Sequence, residues 1–292
     1  MDGDATPSQK GQNMPNAIGT ENARSLIQDT VVNMLVEPLA AESVVLNSGV
    51  QIIDSSAPVR VPTLVSEFDP AWVGENELIP TESGEFGELQ LMPTERKSIK
   101  TIVRVSNELI RMATVGVSQA LQTRLVTDVR DKLDTAMLTG DGTDDTVTGL
   151  MNVPGHLTSE FDATDPDSVL DAVALMSGHE ITPDVIYMNG ADFFTLRKVK
   201  DTTGRALIQP DVTAGATFRL HGVPVRVSSK VPEGSPVLAD MSKVVVVRDL
   251  SPAVDILTER WAEYDQTGIR VRARYDIGAL HPQAVLVMGG AA

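Results

Sequence analysis

The chain of 292 residues contains no cysteine. That absence removes disulfides, cysteine-ligated zinc, thiol catalysis and iron–sulfur clusters. Aromatic residues make up only 4%. No apolar run approaches the length of a membrane span, and the first residues lack the basic and apolar regions of a secretory signal. The expectation is a soluble protein, without a membrane partner, made and used in a cytoplasm. Basic residues are scarce as well, with 24 Lys and Arg against 40 Asp and Glu and a net charge of −16. Affinity for phosphate comes largely from Lys and Arg, so the charge argues against a general nucleic-acid binder. From Leu133 to Leu196 there is no basic residue and there are twelve acids, a stretch that repels DNA.

The motifs of common chemistries are also missing. The four histidines, His156, His179, His221 and His281, have no ligand spacing, and each reads as a structural residue. Ile181-Thr182-Pro183 follows His179-Glu180 where a zinc-protease helix would carry a second histidine. No Gly-x-Ser-x-Gly elbow or dinucleotide fingerprint occurs. Gly140-Asp141-Gly142-Thr143-Asp144-Asp145 departs from the calcium-loop pattern and reads as a solvated turn. Thr148–Gly155 lacks the Gly-Lys-Ser/Thr ending of a phosphate loop. In a chain with forty acids, a carboxylate pair without geometry says little. No catalytic, metal or cofactor residue is assigned, and no enzyme activity is expected.

What the chain does have is an unusual stretch from Val59 to Met112. Val59-Arg60-Val61-Pro62-Thr63-Leu64-Val65 alternates and is answered by Leu89-Gln90-Leu91-Met92. Between Arg60 and Arg96 there is no basic residue, but there are eight acids: Glu67, Asp69, Glu75, Glu77, Glu82, Glu85, Glu88 and Glu95. Phe68, Trp72 and Phe86 lie near its tip, with Gly74, Gly84 and Gly87 as breakers. Two alternating arms around Gly, Pro and acids predict a long two-stranded ribbon. An isolated ribbon is marginal in water, so this one is read as an arm that finds its core on a neighbouring subunit. The alternative is a ribbon folded back on its own domain.

Elsewhere the hydrophobic fraction of 42% suits a packed core, and the length suits one large domain or two smaller ones. Residues 1–20 are polar and read as a flexible N-terminus. Glu21–Leu35 predicts a short amphipathic helix stopped by Pro38, and Val44–Ile53 a strand. Ser118–Leu138 is the best helix, with Val117, Leu121, Leu125, Val129, Leu133 and Met137 every four residues and Gly140 as its C-terminal stop. Asp165 with Pro166 predicts a helix start, and Asn189 caps a helix through Val199. Val185–Met188, Leu220–Val227, Val244–Val247, Ile269–Tyr275 and His281–Met288 predict strands. In Ile269–Tyr275 strict alternation puts Arg270, Arg272 and Arg274 on one face, about 7 Å apart. Such a row is either a solvated edge or a receptor for a neighbour's acids, together with Arg104 or arginines of the long helix.

Taken in order, Ala71-Trp72-Val73-Gly74-Glu75, Phe86-Gly87-Glu88-Leu89 and Val103-Arg104-Val105-Ser106-Asn107-Glu108-Leu109-Ile110 resemble the major capsid proteins of tailed double-stranded DNA bacteriophages. Met188-Asn189-Gly190-Ala191-Asp192-Phe193, Gly222-Val223-Pro224-Val225 and Leu238-Ala239-Asp240-Met241-Ser242 extend the resemblance to about residues 45–290. It implies an α+β capsid fold with an N-terminal arm (21–56), an extended β-hairpin loop (57–97) and a peripheral domain (98–164) carrying a spine helix at 118–138. An axial domain (165–255) and return strands of the peripheral domain (256–292) complete it.

The implied function is a structural protein that self-assembles through pentamers and hexamers into an icosahedral shell around packaged dsDNA. The implied partners are further copies of the chain, a portal protein, a separate scaffolding protein and a decoration protein. The implied location is the virion capsid, assembled in the bacterial host cytoplasm. Some members cross-link a loop lysine to a neighbour's asparagine, but residues 61–95 hold no lysine and Lys97 lies at the loop's base, so non-covalent contacts are expected. Phe68, Trp72, Glu75, Glu77, Glu82, Glu85, Phe86, Arg104, Arg270, Arg272 and Arg274 are the expected intersubunit contacts. A nanocompartment shell protein of the same fold is the nearest rival, and a soluble acidic enzyme using a carboxylate pair is the rival from another class.

Overall fold

The computed structural model describes residues 43–64, 72–73, 86–92, 98–108, 115–143, 146–200 and 218–289. The expected flexible N-terminus and the helix at Glu21–Leu35 lie outside the described residues. Twelve strands are described: β1 (Gln51–Asp54), β2 (Val59–Leu64), β3 (Phe86–Leu91), β4 (Ile99–Ser106), β5 (Leu157–Ser159), β6 (Val185–Met188), β7 (Arg219–Leu220), β8 (Val223–Val227), β9 (Val237–Ala239), β10 (Val244–Leu257), β11 (Gln266–Ala279) and β12 (Val285–Met288). The helices are α1 (Val115–Thr139), α2 (Asp167–Gly178) and α3 (Gly190–Lys198).

Two larger sheets and one ribbon organise them. A four-stranded sheet runs β1-β10-β11-β4, a six-stranded sheet runs β5-β12-β9-β6-β8-β7, and β2 pairs with β3 alone. The Leu stripe of α1 works as read: Leu125, Val129, Leu133 and Met137 are all buried. They pack on Val271, Ala273, Tyr275 and Ile277 of β11 and on Val185, Tyr187, Val237 and Val285 of the second sheet, in one core. The opposite face of that second sheet, with Ile186, Met188, Leu238, Leu286 and Met288, meets Val169, Ala172 and Met176 of α2 and Phe193 and Leu196 of α3. Period-two alternation therefore fills two cores from one sheet, which is why β6 is buried along its whole length.

The valine run of β10 has the same logic. Val244 and Val246 face the main core, whereas Val245 and Val247 join Leu91, Met92, Leu89 and Val59 at the ribbon's root. A strand buried on both faces reads as a continuous apolar run rather than an alternating one. Burying each valine is worth about 1.5–3 kcal/mol.

Several boundaries differ from the sequence reading. The strand expected over Val44–Ile53 is a 3-10 turn at Leu46–Ser48, then Gly49 at φ 83°, then β1. Positive φ at Gly49 breaks the extended run. The strand expected over Leu220–Val227 is a hairpin, because His221 (φ 49°) and Gly222 (φ 87°) form a two-residue turn between β7 and β8. Gly140 follows α1 as expected but does not take the left-handed cap conformation. Its role is close approach: a Cβ there would overlap the Val147 and Ala136 carbonyl oxygens. Sheet membership also crosses the expected domain limits. β10, read as axial through residue 255, belongs to the four-stranded sheet. β12, read as a peripheral return strand, pairs with β5 and β9 in the six-stranded one. Long-range pairing of β10 with β1 and β11 decides this, and no local pattern encodes it.

Candidate assembly interface

The ribbon forms where alternation predicted it. β2 and β3 are antiparallel with Val59 opposite Leu91 and Pro62 opposite Glu88. Arg60 and Glu88 make an exposed ion pair at 3.5 Å. Among the described residues the root is packed, through Val59, Leu89 and Leu91 against Val245 and Val247. Trp72 stands fully in solvent, at 103% relative exposure. The indole therefore takes no part in the described cores. Phe68, Glu75, Glu77, Glu82 and Glu85 lie outside the described residues. Phe86 opens the backbone of β3.

The arginine row is on one face of β11, with Val271, Ala273 and Tyr275 buried on the other. β11 is an interior strand between β10 and β4, so the row is not at a sheet edge, and its arginines are partly exposed on the sheet face. Register places Lys100 opposite Arg272, Ile102 opposite Arg270 and Arg104 opposite Gly268. Directly opposed residues share a face, so Lys100 and Arg104 join the row. Ile102 is 43% exposed among them. The arginines of α1 take other partners, Arg124 with Asp128 and Arg130 with Asp131.

The row already has counter-charge from its own chain. Asp255 accepts from Arg270 (Nε 3.0 Å) and pairs with Arg272 (Nε 3.0 Å). The Arg272 Nε is buried and too poorly aligned to make a hydrogen bond at that distance. Arg274 Nη1 donates to Asp249 Oδ2 at 2.7 Å, and the Asp249 side chain is only 3% exposed. Asp249 falls in an irregularity of β10 where the register shifts between Arg248 and Leu250, and a bulge re-aims a side chain in this way. Three arginines thus meet two carboxylates, and Lys100 and Arg104 add two further positive charges to the same face. Arg104 also lies 5.8 Å from the Trp261 ring centre and Arg260 5.0 Å. The Trp261 ring covers Gly268, where a Cβ would collide with it. Asp249, Asp255 and Trp261 were not foreseen, since each acts through pairing between β10, β11 and β4.

Two further anchors position these surfaces. Asp134 of α1, 2% exposed, accepts from the Ser43 hydroxyl at 2.6 Å and the Val44 N–H at 3.1 Å. This ties the start of the described chain to the long helix. Burial pushes its carboxyl above the usual range, against the lowering effect of those donors. Arg248 grips Asp54 of β1 at 2.6 and 2.8 Å and holds that carboxyl below its usual value. In the loop after α1, Asp144 and Asp145 lie outside the described residues, and Asp141 accepts from the Thr143 N–H, the Thr143 hydroxyl and the Thr146 hydroxyl, which lowers its carboxyl to about 2. Among the described residues no cluster of His, Asp or Glu could hold a metal ion, and no helix is long and apolar enough to cross a membrane.

The described residues form two larger sheets with a long helix packed between them, a two-stranded ribbon and a row of basic side chains on one sheet face. The family model of the Phage capsid family matches residues 24–290, and the chain belongs to that family. It is 25% identical over 297 residues to the major capsid protein of Klebsiella oxytoca phage phiKO2, covering 90% of this chain and 67% of that protein. Among solved structures, Mycobacterium phage Cain matches with a TM-score of 0.68 at 18% identity, over 86% of this chain and 90% of that one. The capsid of a native GTA particle matches with a TM-score of 0.70 at 16% identity, over 98% and 96%. The fold is that of tailed-phage capsid proteins.

Proposed function

We propose that this chain is the major capsid subunit of a tailed phage, closing through pentamers and hexamers into an icosahedral shell around packaged dsDNA. The shell is held when the acidic ribbon of one subunit lies on the basic sheet face of the next. The observation that supports this reading is the complementary pair of surfaces on one chain. One is a ribbon free of Lys and Arg beyond Arg60, with Trp72 bare at 103% exposure. The other is the row of Arg270, Arg272 and Arg274 with Lys100 and Arg104. A neighbour's carboxylates would add to Asp255 and Asp249 and complete the neutralisation of the row. Such contacts between solvent-facing charges weaken with salt, and many copies make each one sufficient at low individual strength. The portal, a separate scaffolding protein and a decoration protein are the further partners in this reading.

The test is expression of the full chain, followed by negative-stain electron microscopy of the soluble fraction at low and high salt. Closed shells, rings of five or six, or tubes are expected, and raised salt dissociates the weaker products. A uniform monomer at high protein concentration, with and without scaffold, would remove the assembly mechanism.

A further inference from the structure

The ribbon's root carries a set of contacts that packing alone does not require. Met92, just after β3, has φ 55°, a left-handed conformation that side chains rarely adopt. Its N–H donates to Asp276 Oδ2 at 2.7 Å, while Asp276 Oδ1 accepts from the N–H of Ile277 at 2.9 Å. Two residues along β11, Gly278 leaves a notch that the ribbon fills. A Cβ there would lie 2.7 Å from Leu91 Cδ2 and 3.2 Å from Leu89 Cδ2. Beside these contacts is a cavity of about 260 Å³, lined by Leu91 and Met92, by Asp276 and Gly278, and by Thr148 and Val153 of the loop after α1. One carboxylate and one missing side chain therefore hold a strained residue next to empty space.

We propose that Asp276 and Gly278 form a latch that sets the angle at which the ribbon leaves the subunit, and that its release lets the root swing into the adjacent cavity. The proposal rests on the reading of the ribbon as an intersubunit arm. Six residues of strand span about 20 Å, so a turn of about 10° at the root moves the far end by about 3.5 Å. That displacement breaks any hydrogen bond the arm makes. The latch is thus a positioning device: Asp276 holds the root and thereby decides where the arm meets a neighbour.

The experiment compares the full wild-type chain with Asp276→Ala and Asp276→Asn. Hydrogen exchange is followed at the Met92 amide in unassembled subunits, and the products are imaged by electron microscopy. Asp276→Ala is expected to speed Met92 exchange about tenfold or more, leave the amides of Val245–Val247 protected, and give open or mixed-diameter shells. Asp276→Asn keeps one acceptor oxygen for the two N–H donors and is expected to restore both readouts in part. Wild-type exchange in Asp276→Ala, equal defects in both variants, or uniform wild-type shells from Asp276→Ala would each overturn the latch. Should Asp276→Ala fail to fold, Gly278→Ala carries the same test, because it leaves the carboxylate in place and lifts Leu91. A wild type that forms no shells overturns the assembly reading, while the exchange comparison still decides whether Asp276 holds the root.

Discussion

The three arginines of β11 look equivalent in the sequence, yet the structure predicts unequal consequences for removing them. Arg274 pairs at 2.7 Å with Asp249, whose side chain is 3% exposed, and is itself 30% exposed. Arg274→Met leaves that carboxylate in the interior without its cation. Breaking a buried pair from one side costs about 3–5 kcal/mol, and Asp249 keeps a further interaction, so about 3 kcal/mol is expected. Arg270 and Arg272 are 37% and 38% exposed and share Asp255. Removing either leaves the other in place, and pairs this exposed are worth about 0.2–1 kcal/mol each. Removing both leaves Asp255 unpaired, so the double substitution should cost more than the sum of the singles, the signature of a shared partner. Urea denaturation of unassembled subunits measures all four values. A loss below about 1 kcal/mol for Arg274→Met, or singles at 270 and 272 that match it, would refute the reasoning. The same geometry bears on charge reversal of all three arginines as a test of assembly. Reversal at 274 sets a glutamate against a buried aspartate and destabilises the subunit. Arg270→Gln with Arg272→Gln is the variant that separates assembly from folding.

Two further outcomes follow from the anchors. Burial holds Asp134 above the ordinary carboxylate value, so its contribution to stability is present below that ordinary value and lost as pH rises through the raised one. Asp134→Asn should therefore gain stability relative to wild type from about pH 4 towards pH 7, and a difference that stays constant over that range would refute the assignment. Trp261 is one of two tryptophans, and Trp72 is the fully exposed one. In a Trp72→Phe background, Gly268→Ala should lift the indole from the sheet, shift its emission to the red and cost about 1–3 kcal/mol. Unchanged fluorescence and stability would show that the ring does not rest on Gly268.

Much of the fold follows from patterns short enough to be local. The four-residue stripe of α1, the alternation of β2 with β3 and the one-sided arginines of β11 each encode a periodicity, and a periodicity fixes which side chains share a face. The absence of cysteine and the run without Lys or Arg from residue 61 to residue 95 are equally direct, because composition alone bounds the chemistry and the sign of the field. Pairing across long separations decided the rest. Whether Val244–Val247 was a one-sided strand or buried on both faces depended on the ribbon root lying over Val245 and Val247. Whether the arginines were bare or paired depended on a register shift in β10 that brings Asp249 to Arg274, and on Asp255 lying opposite Arg270. Neither fact has a sequence period, since both arise when residues far apart in the chain compete for one face of a sheet. The sequence by itself determined which surfaces are acidic, basic and apolar. Tertiary structure decided how they are held, from the Asp276 and Gly278 contacts that anchor the ribbon to the Asp134 bonds that fasten the chain to its longest helix.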